Sequence, residues 1–172
     1  GAVTDEKINY LLEMRASGRD KVQDYADKFG CEFHAGEKPW GLGADKVDIM
    51  MPCATQNDVN MDSAKKIAAS GIKYYIEVAN MPTTNDALEF LKEQKHMVIA
   101  PSKAVNACGV AVSALEMAQN AERLYWTAEE VDAKMHQIMA NIYHSSVAAA
   151  ERYGLGYDLV AGANIVGFQR VA

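Results

Sequence analysis

A chain of 172 residues with 49% hydrophobic side chains can bury one real core, so its length favours a single domain or a domain with an appendage. Its 17 Lys and Arg against 23 Asp and Glu give a net charge of −6, which leaves no basic field for phosphate backbones or anionic lipid and argues against nucleic acid as a partner. Three cysteines, Cys31, Cys53 and Cys108, lack CxxC spacing and so argue against a disulfide framework or thiolate zinc site; no apolar stretch approaches the roughly 20 residues of a membrane span, and a soluble, cytoplasmic protein is expected.

The start is too polar for a secretory signal, and Gly1-Ala2 reads as a cloning remnant. Thr4 reads as an N-cap with Asp5 and Glu6 in the first turn, and Ile8, Leu11, Leu12 and Met14 follow at mostly helical spacing up to Gly18. A second helical run through Val22, Tyr25, Ala26 and Phe29 stops at Gly30. Gly36, Pro39, Gly41 and Gly43 mark loop, with room for a short strand at Cys31-Glu32-Phe33.

The period then changes. Three short apolar runs, Val47-Asp48-Ile49-Met50-Met51, Tyr74-Tyr75-Ile76-Glu77-Val78 and Met97-Val98-Ile99-Ala100, read as strands covered on both faces. Helical stretches separate them, one through Ala64, Ile67 and Ala68 to Gly71, another from Thr84 through Ala87, Leu88 and Leu91. Strand, helix, strand, helix, strand is the pattern of crossovers in a parallel sheet. A small-residue helix is expected from about Ala104 to Gln119. Thr127-Ala128-Glu129-Glu130 is a capping box that opens a long helix ending near Gly154, and the tail from Leu159 to Ala172 reads as another helix. The chain stops within that helical pattern, so a piece of a longer protein is expected.

Ligands of open α/β sheets bind beyond the carboxyl ends of the strands. The segments there are Pro52-Cys53-Ala54-Thr55-Gln56-Asn57, Ala79-Asn80-Met81-Pro82-Thr83-Thr84 and Pro101-Ser102-Lys103-Ala104-Val105-Asn106-Ala107-Cys108-Gly109. Each combines small residues, which let a ring or ribose approach the backbone, with neutral amide or hydroxyl groups that orient it. Taken singly, Thr55, Asn80 or Asn106 reads first as a helix cap or a turn closure, and the three together weaken that reading.

No G-x-G-x-x-G occurs in the sequence; Gly41-Leu42-Gly43 and Gly154-Leu155-Gly156 read as loop or helix-end glycines. His34, His96, His136 and His144 are too dispersed for a metal site and read as solvated or core residues. Cys53 and Cys108 fall near the strand ends without an adjacent His and read as small buried side chains rather than nucleophiles. Asp86, Glu89 and Glu93 read as a solvated helix face.

Four dispersed segments, in order, resemble one family. Glu77-Val78-Ala79-Asn80-Met81-Pro82-Thr83-Thr84 resembles the ANxPTT segment of hexameric bacterial glutamate dehydrogenases, in the Glu/Leu/Phe/Val dehydrogenase family. The run from Ala100 to Val110 resembles the family's NAGGV segment, followed by Gln119-Asn120 as in relatives. Pro52-Cys53-Ala54-Thr55-Gln56-Asn57 and Ala161-Gly162-Ala163-Asn164-Ile165 also match family segments. This chain departs from the pattern at Cys108, where relatives commonly have glycine.

The resemblance implies an α/β fold, part of a Rossmann-like doubly wound sheet with three or more parallel strands plus C-terminal helices. Residues 1–172 would form a single partial NAD(P)-binding domain, with sheet and helices over about 3–125 and C-terminal helices over 127–172. It implies reversible oxidative deamination of L-glutamate to 2-oxoglutarate and ammonia with NAD or NADP, in a homo-hexameric parent. By carry-over, Ala54, Thr55, Asn80 and Asn106 border the dinucleotide near its nicotinamide ribose, and Val110 and Ser113 reach toward the glutamate side chain. The family's substrate-activating lysines and catalytic aspartate match nothing in this chain, which is therefore expected to be inactive alone. The alternative is a catalytically silent structural or interaction domain.

Overall fold

The computed structural model describes residues 2–18, 21–42 and 47–172. Two compact units divide the chain, Gly1–Pro39 and Trp40–Ala172. In the first, α1 (Asp5–Ala16) starts at Thr4, whose hydroxyl accepts from Lys7 N at 3.4 Å, and α2 (Val22–Phe29) ends at Gly30 with φ +64°. That left-handed turn favours glycine and closes the helix through its backbone N–H. Tyr10 packs edge-on against Phe29 at 5.6 Å between ring centroids, Tyr25 lies 4.8 Å from Phe29, and Lys28 Nζ is 4.0 Å from the Tyr10 ring centre. Met14 and Ala26 are buried, whereas Ile8, Leu11 and Leu12 stay exposed. Residues 31–34 form no strand, so the expected extension at Cys31-Glu32-Phe33 is absent; every residue of the run is exposed, which leaves it no buried face.

In the second unit β1 (Ile49–Met50), α3 (Met61–Ala69), β2 (Tyr74–Ile76), α4 (Asn85–Lys92) and β3 (Val98–Ala100) alternate. The strands form a parallel sheet in the order β1-β2-β3, with Met50, Tyr75 and Ile99 in register. Those three side chains are buried in one cluster with Val59, Ala64, Ile67, Ile72, Ala87 and Leu91. Helices α3 and α4 supply its apolar stripes and pack on each other. The neighbouring row differs from the expectation of strands covered on both faces: Ile49 and Tyr74 remain exposed. Cover on that row reaches the far strand, where α8 packs on β3 and Val98 is half-buried.

After β3 the chain turns through α5 (Ser102–Val105) into α6 (Ala107–Glu122), α7 (Ala128–Arg152) and α8 (Leu159–Gln169). The single helix expected from Ala104 is thus two helices with Asn106 between them. The capping box is present in full: Thr127 N donates to Glu130 Oε2 at 2.7 Å and Glu130 N to Thr127 Oγ1 at 3.2 Å. Helices α7 and α8 cross closely at Gly162, where a Cβ would lie 2.0 Å from the Ser146 carbonyl oxygen. Gly154 and Gly156 follow α7 with φ of +72° and +63°, as helix-end glycines; Gly43 lies outside the described residues.

Candidate active site

Parallel strands put all their carboxyl ends on one edge of the sheet, and the three segments singled out in the sequence leave from that edge. They are tied to one another by backbone hydrogen bonds. Pro52 O accepts from Val78 N and Ala79 N at 3.2 and 2.9 Å. Farther out, Asn57 N donates to Met81 O at 3.0 Å, Val59 N to Pro82 O at 2.9 Å and Thr84 N to Val59 O at 3.0 Å. The first two segments therefore extend the parallel pairing past the strands, as the Val59–Thr83 bridge records. Beneath them the Tyr75 hydroxyl and Thr83 Oγ1 share a buried hydrogen bond of 2.8 Å. Burial pushes the Tyr75 hydroxyl well above its usual range, with Thr83 acting the other way and Glu77 adding to the rise.

Two residues in this rim adopt left-handed backbone without being glycine, Asn57 (φ +56°) and Met81 (φ +49°). Asparagine tolerates that region; an unbranched methionine there is strained by about 1 kcal/mol. The Asn57–Met81 bond joins the two.

The third segment joins through Glu77, whose N–H donates to Ala100 O at 3.0 Å and whose Oε2 accepts from Ser102 N at 3.2 Å. Asn106 N in turn closes α5 onto Ser102 O at 2.9 Å.

Ala54, Thr55 and Asn80 are exposed on the first two segments and Asn106 is half-buried on the third. The side chain of Asn106 caps neither α5 nor α6. Caps are made elsewhere by other residues: Asn60 Oδ1 accepts from Ser63 N at 3.0 Å to start α3 and Asp158 Oδ1 from Ala161 N at 2.9 Å to start α8. The carried-over set thus shares one edge of the sheet with its neutral polar groups turned to no helix end. Val110 is 71% exposed and Ser113, one turn on, is exposed as well, with its hydroxyl donating to Gly109 O at 3.3 Å. Within these 172 residues helix α6 buries none of its own.

Cys53 is exposed and Cys108 half-buried, which corrects the expectation that both are small buried side chains; each lies on an outlying loop or helix start instead of a strand interior. The Cys53 thiol donates to Met51 O at 3.2 Å. Among the described residues no three His, Cys, Asp or Glu side chains come together as a metal site would need, and no helix is long and apolar enough to cross a membrane. His34 lies 3.5 Å from Glu32 and His136 lies 3.7 Å from Asp132, each at the surface.

The model of the Glutamate/Leucine/Phenylalanine/Valine dehydrogenase family matches residues 1–172. The chain belongs to this family. It is 72% identical over 172 residues to the NAD-specific glutamate dehydrogenase of Clostridium symbiosum, covering all of this chain and 38% of that protein. It is 50% identical over 171 residues to the NADP-specific glutamate dehydrogenase of Escherichia coli K12, with 98% of this chain and 37% of the relative covered. A solved glutamate dehydrogenase superposes with a TM-score of 0.91 at 73% identity, over 98% of this chain and 37% of that one. The Plasmodium falciparum glutamate dehydrogenase structure gives 0.89 at 40% identity, over 99% and 36%. The chain therefore spans little more than a third of these relatives.

Within this member of the family, two features at the rim were not singled out from sequence. Glu77 is 2% exposed, and its signal was present as the one charged residue in the run Tyr74-Tyr75-Ile76-Glu77-Val78. Lys103 Nζ donates to Asn164 Oδ1, which joins the third segment to α8; a pair 61 residues apart leaves no spacing signal.

Proposed function

We propose that the chain forms the nicotinamide-side part of an NAD- or NADP-dependent dehydrogenase that interconverts L-glutamate with 2-oxoglutarate and ammonia. The observation that carries this reading is the placement of Thr55, Asn80 and Asn106 at one sheet edge, where the side chain of none of the three bonds a helix end. Such groups fit a ribose and a carboxamide, which need neutral donors and acceptors and a close backbone approach beside Ala54. The bound dinucleotide would supply the hydride-accepting ring. Asn80 and Asn106 would orient it by neutral hydrogen bonds, and Thr55 would offer its hydroxyl to the ribose.

Val110 and Ser113 would face the amino-acid substrate: Val110 shapes the space beside its methylenes and Ser113 offers a hydroxyl to its distal carboxylate. Neither titrates near neutral pH, so both would set specificity rather than transfer protons. Proton transfer and substrate activation would fall to groups outside these 172 residues, and the same holds for the pyrophosphate, because no G-x-G-x-x-G is present. The 172 residues by themselves would accordingly not turn over glutamate. The reading extends, on the family resemblance, to a homo-hexameric parent in the cytoplasm.

The test uses the full-length dehydrogenase that carries this chain. Asn80→Ala and Asn106→Ala should each weaken NAD(P) binding about 5- to 150-fold, the equivalent of about 1 to 3 kcal/mol for one lost hydrogen bond, with the melting temperature unchanged. Changing Ser113 to an apolar residue together with a resized Val110 should move kcat/KM from glutamate toward norleucine by roughly 10- to 200-fold. Wild-type cofactor affinity in both asparagine variants, with lowered melting temperatures, would show these residues to be structural.

A further inference from the structure

A carboxylate removed from water needs donors, and Glu77 finds one across the sheet edge rather than on its own strand. It lies just past β2, three residues before Asn80, and is 2% exposed. Its Oε2 accepts from the N–H of Ser102, the first residue of α5. Pro101 precedes that residue and has no side-chain acceptor, so α5 has no other side-chain cap at its start. A helix of 4 residues is far below the length that is stable unaided and takes its position from whatever holds its ends. Asn106 closes that same turn onto Ser102 O. The position of Ser102 is thereby handed to Asn106 through a single turn of backbone.

We propose that Glu77 is a positioning residue that locks the Asn106 turn against the Asn80 loop, so that the two amides address the nicotinamide half of the dinucleotide as a fixed pair. This rests on the cofactor reading given above. On the side of the Asn80 loop the strand-end carbonyls alone would leave the turn one tie, at Ala100, where Glu77 N bonds the last residue of β3; Lys103 holds the turn on its other side, to Asn164 of α8. The carboxylate adds a second tie two residues farther along, and two ties fix an orientation that one leaves free.

The proposal separates the acceptor oxygen of Glu77 from its bulk. Glu77→Gln keeps an acceptor at the same reach, Glu77→Leu keeps volume without it, and Ser102→Pro removes the donor at a first-turn position where proline is tolerated. In the full-length dehydrogenase, dissociation constants are measured for NAD(P)+ and for ADP or its 2′-phosphate, which have no nicotinamide half. Glu77→Leu and Ser102→Pro should weaken NAD(P)+ by about tenfold or more and the adenosine ligand by less than about twofold, while Glu77→Gln stays within about threefold of wild type for both. Hydrogen exchange at the Ser102 amide should quicken in Glu77→Leu and recover in Glu77→Gln. Ser102→Pro carries the same expectation should Glu77→Leu fail to fold. Equal loss for both ligands, or an unchanged NAD(P)+ constant in Glu77→Leu or Ser102→Pro, overturns the positioning role alone. A wild-type enzyme that binds no dinucleotide overturns the cofactor reading and this inference with it.

Discussion

Gly162→Ala is expected to destabilise the protein although it replaces glycine by the best helix former. Gly162 lies within α8, buried where that helix crosses α7. An added Cβ would be 2.0 Å from Ser146 O, 2.8 Å from Ser146 C and 3.3 Å from Ala150 Cβ. Ordinary contact between such atoms begins above about 3 Å, so the helices must part by about 1 Å. The obstructing atoms are α7 backbone and cannot turn aside by a change of rotamer. Overpacking of this kind typically costs about 1 to 3 kcal/mol, and the obstruction here belongs at the upper end. Alanine's better helix propensity returns about 1 kcal/mol, which leaves a net loss of about 2 kcal/mol. For a chain of this length that is a fall of roughly 4 to 8 °C in melting temperature. Gly167→Ala is the internal control: it lies on the same helix, exposed, with nothing within 4 Å of the new Cβ, and should gain about 0.5 to 1 kcal/mol. Thermal melts followed by far-UV circular dichroism on both variants decide the matter. A Gly162→Ala protein as stable as wild type would refute the close crossing.

Two further outcomes are expected. Tyr75→Phe leaves the buried Thr83 hydroxyl without its 2.8 Å partner and should lose about 1 to 3 kcal/mol in urea unfolding, whereas Tyr75→Phe with Thr83→Val should recover part of that; a double variant no better than the single one would show that packing dominates. Tyr157 titrates near 12, above its ordinary 10.0, chiefly because of the 2.7 Å hydrogen bond with Tyr143. The folded-state value is the raised one, so the stability it contributes is intact below about pH 10 and lost as pH climbs through about 12. In Tyr143→Phe the alkaline absorbance transition of Tyr157 should fall back toward 10.0, and an unmoved transition would remove the hydrogen bond as its cause.

Much of the second unit could be read from local pattern. The three apolar runs fall on the three strands, and Thr127 with Glu130 marks the start of α7 because a capping box is a local event encoded within four residues. The regular strands are shorter than the apolar runs: past Met50 and Ile76 the pairing continues only as loop-to-loop bonds, which depend on Pro52, Val59 and Pro82 rather than on strand periodicity. The expectation of two covered faces failed at Ile49 and Tyr74 because apolar composition states what a face can bury and not what is present to cover it. The break at Asn106 leaves no local signal, because Ala104, Val105, Ala107 and Cys108 continue a helix-compatible run across it. At the candidate site, small residues with Asn and Thr after each strand gave the edge and the segments, since that placement follows from parallel topology. The link from Glu77 to Ser102 joins residues 25 apart and depends on β2 lying beside β3, which no local spacing can encode.

The bonded pair of left-handed residues, Asn57 and Met81, has a thermodynamic consequence for any ligand at this edge. Fixing a mobile loop at the moment of association removes roughly 1 to 2 kcal/mol of conformational entropy per residue. Here the first two segments are already laced together by main-chain bonds, and the strain at Met81 is met at folding and shared by free and bound protein alike. Association at this rim should then be driven more by the contacts made than opposed by loop ordering, with a small entropic penalty and little change in amide exchange at Asn57 and Val59. The rim behaves as a plate cast in advance, so that a ligand resting on one segment meets the other in its final position.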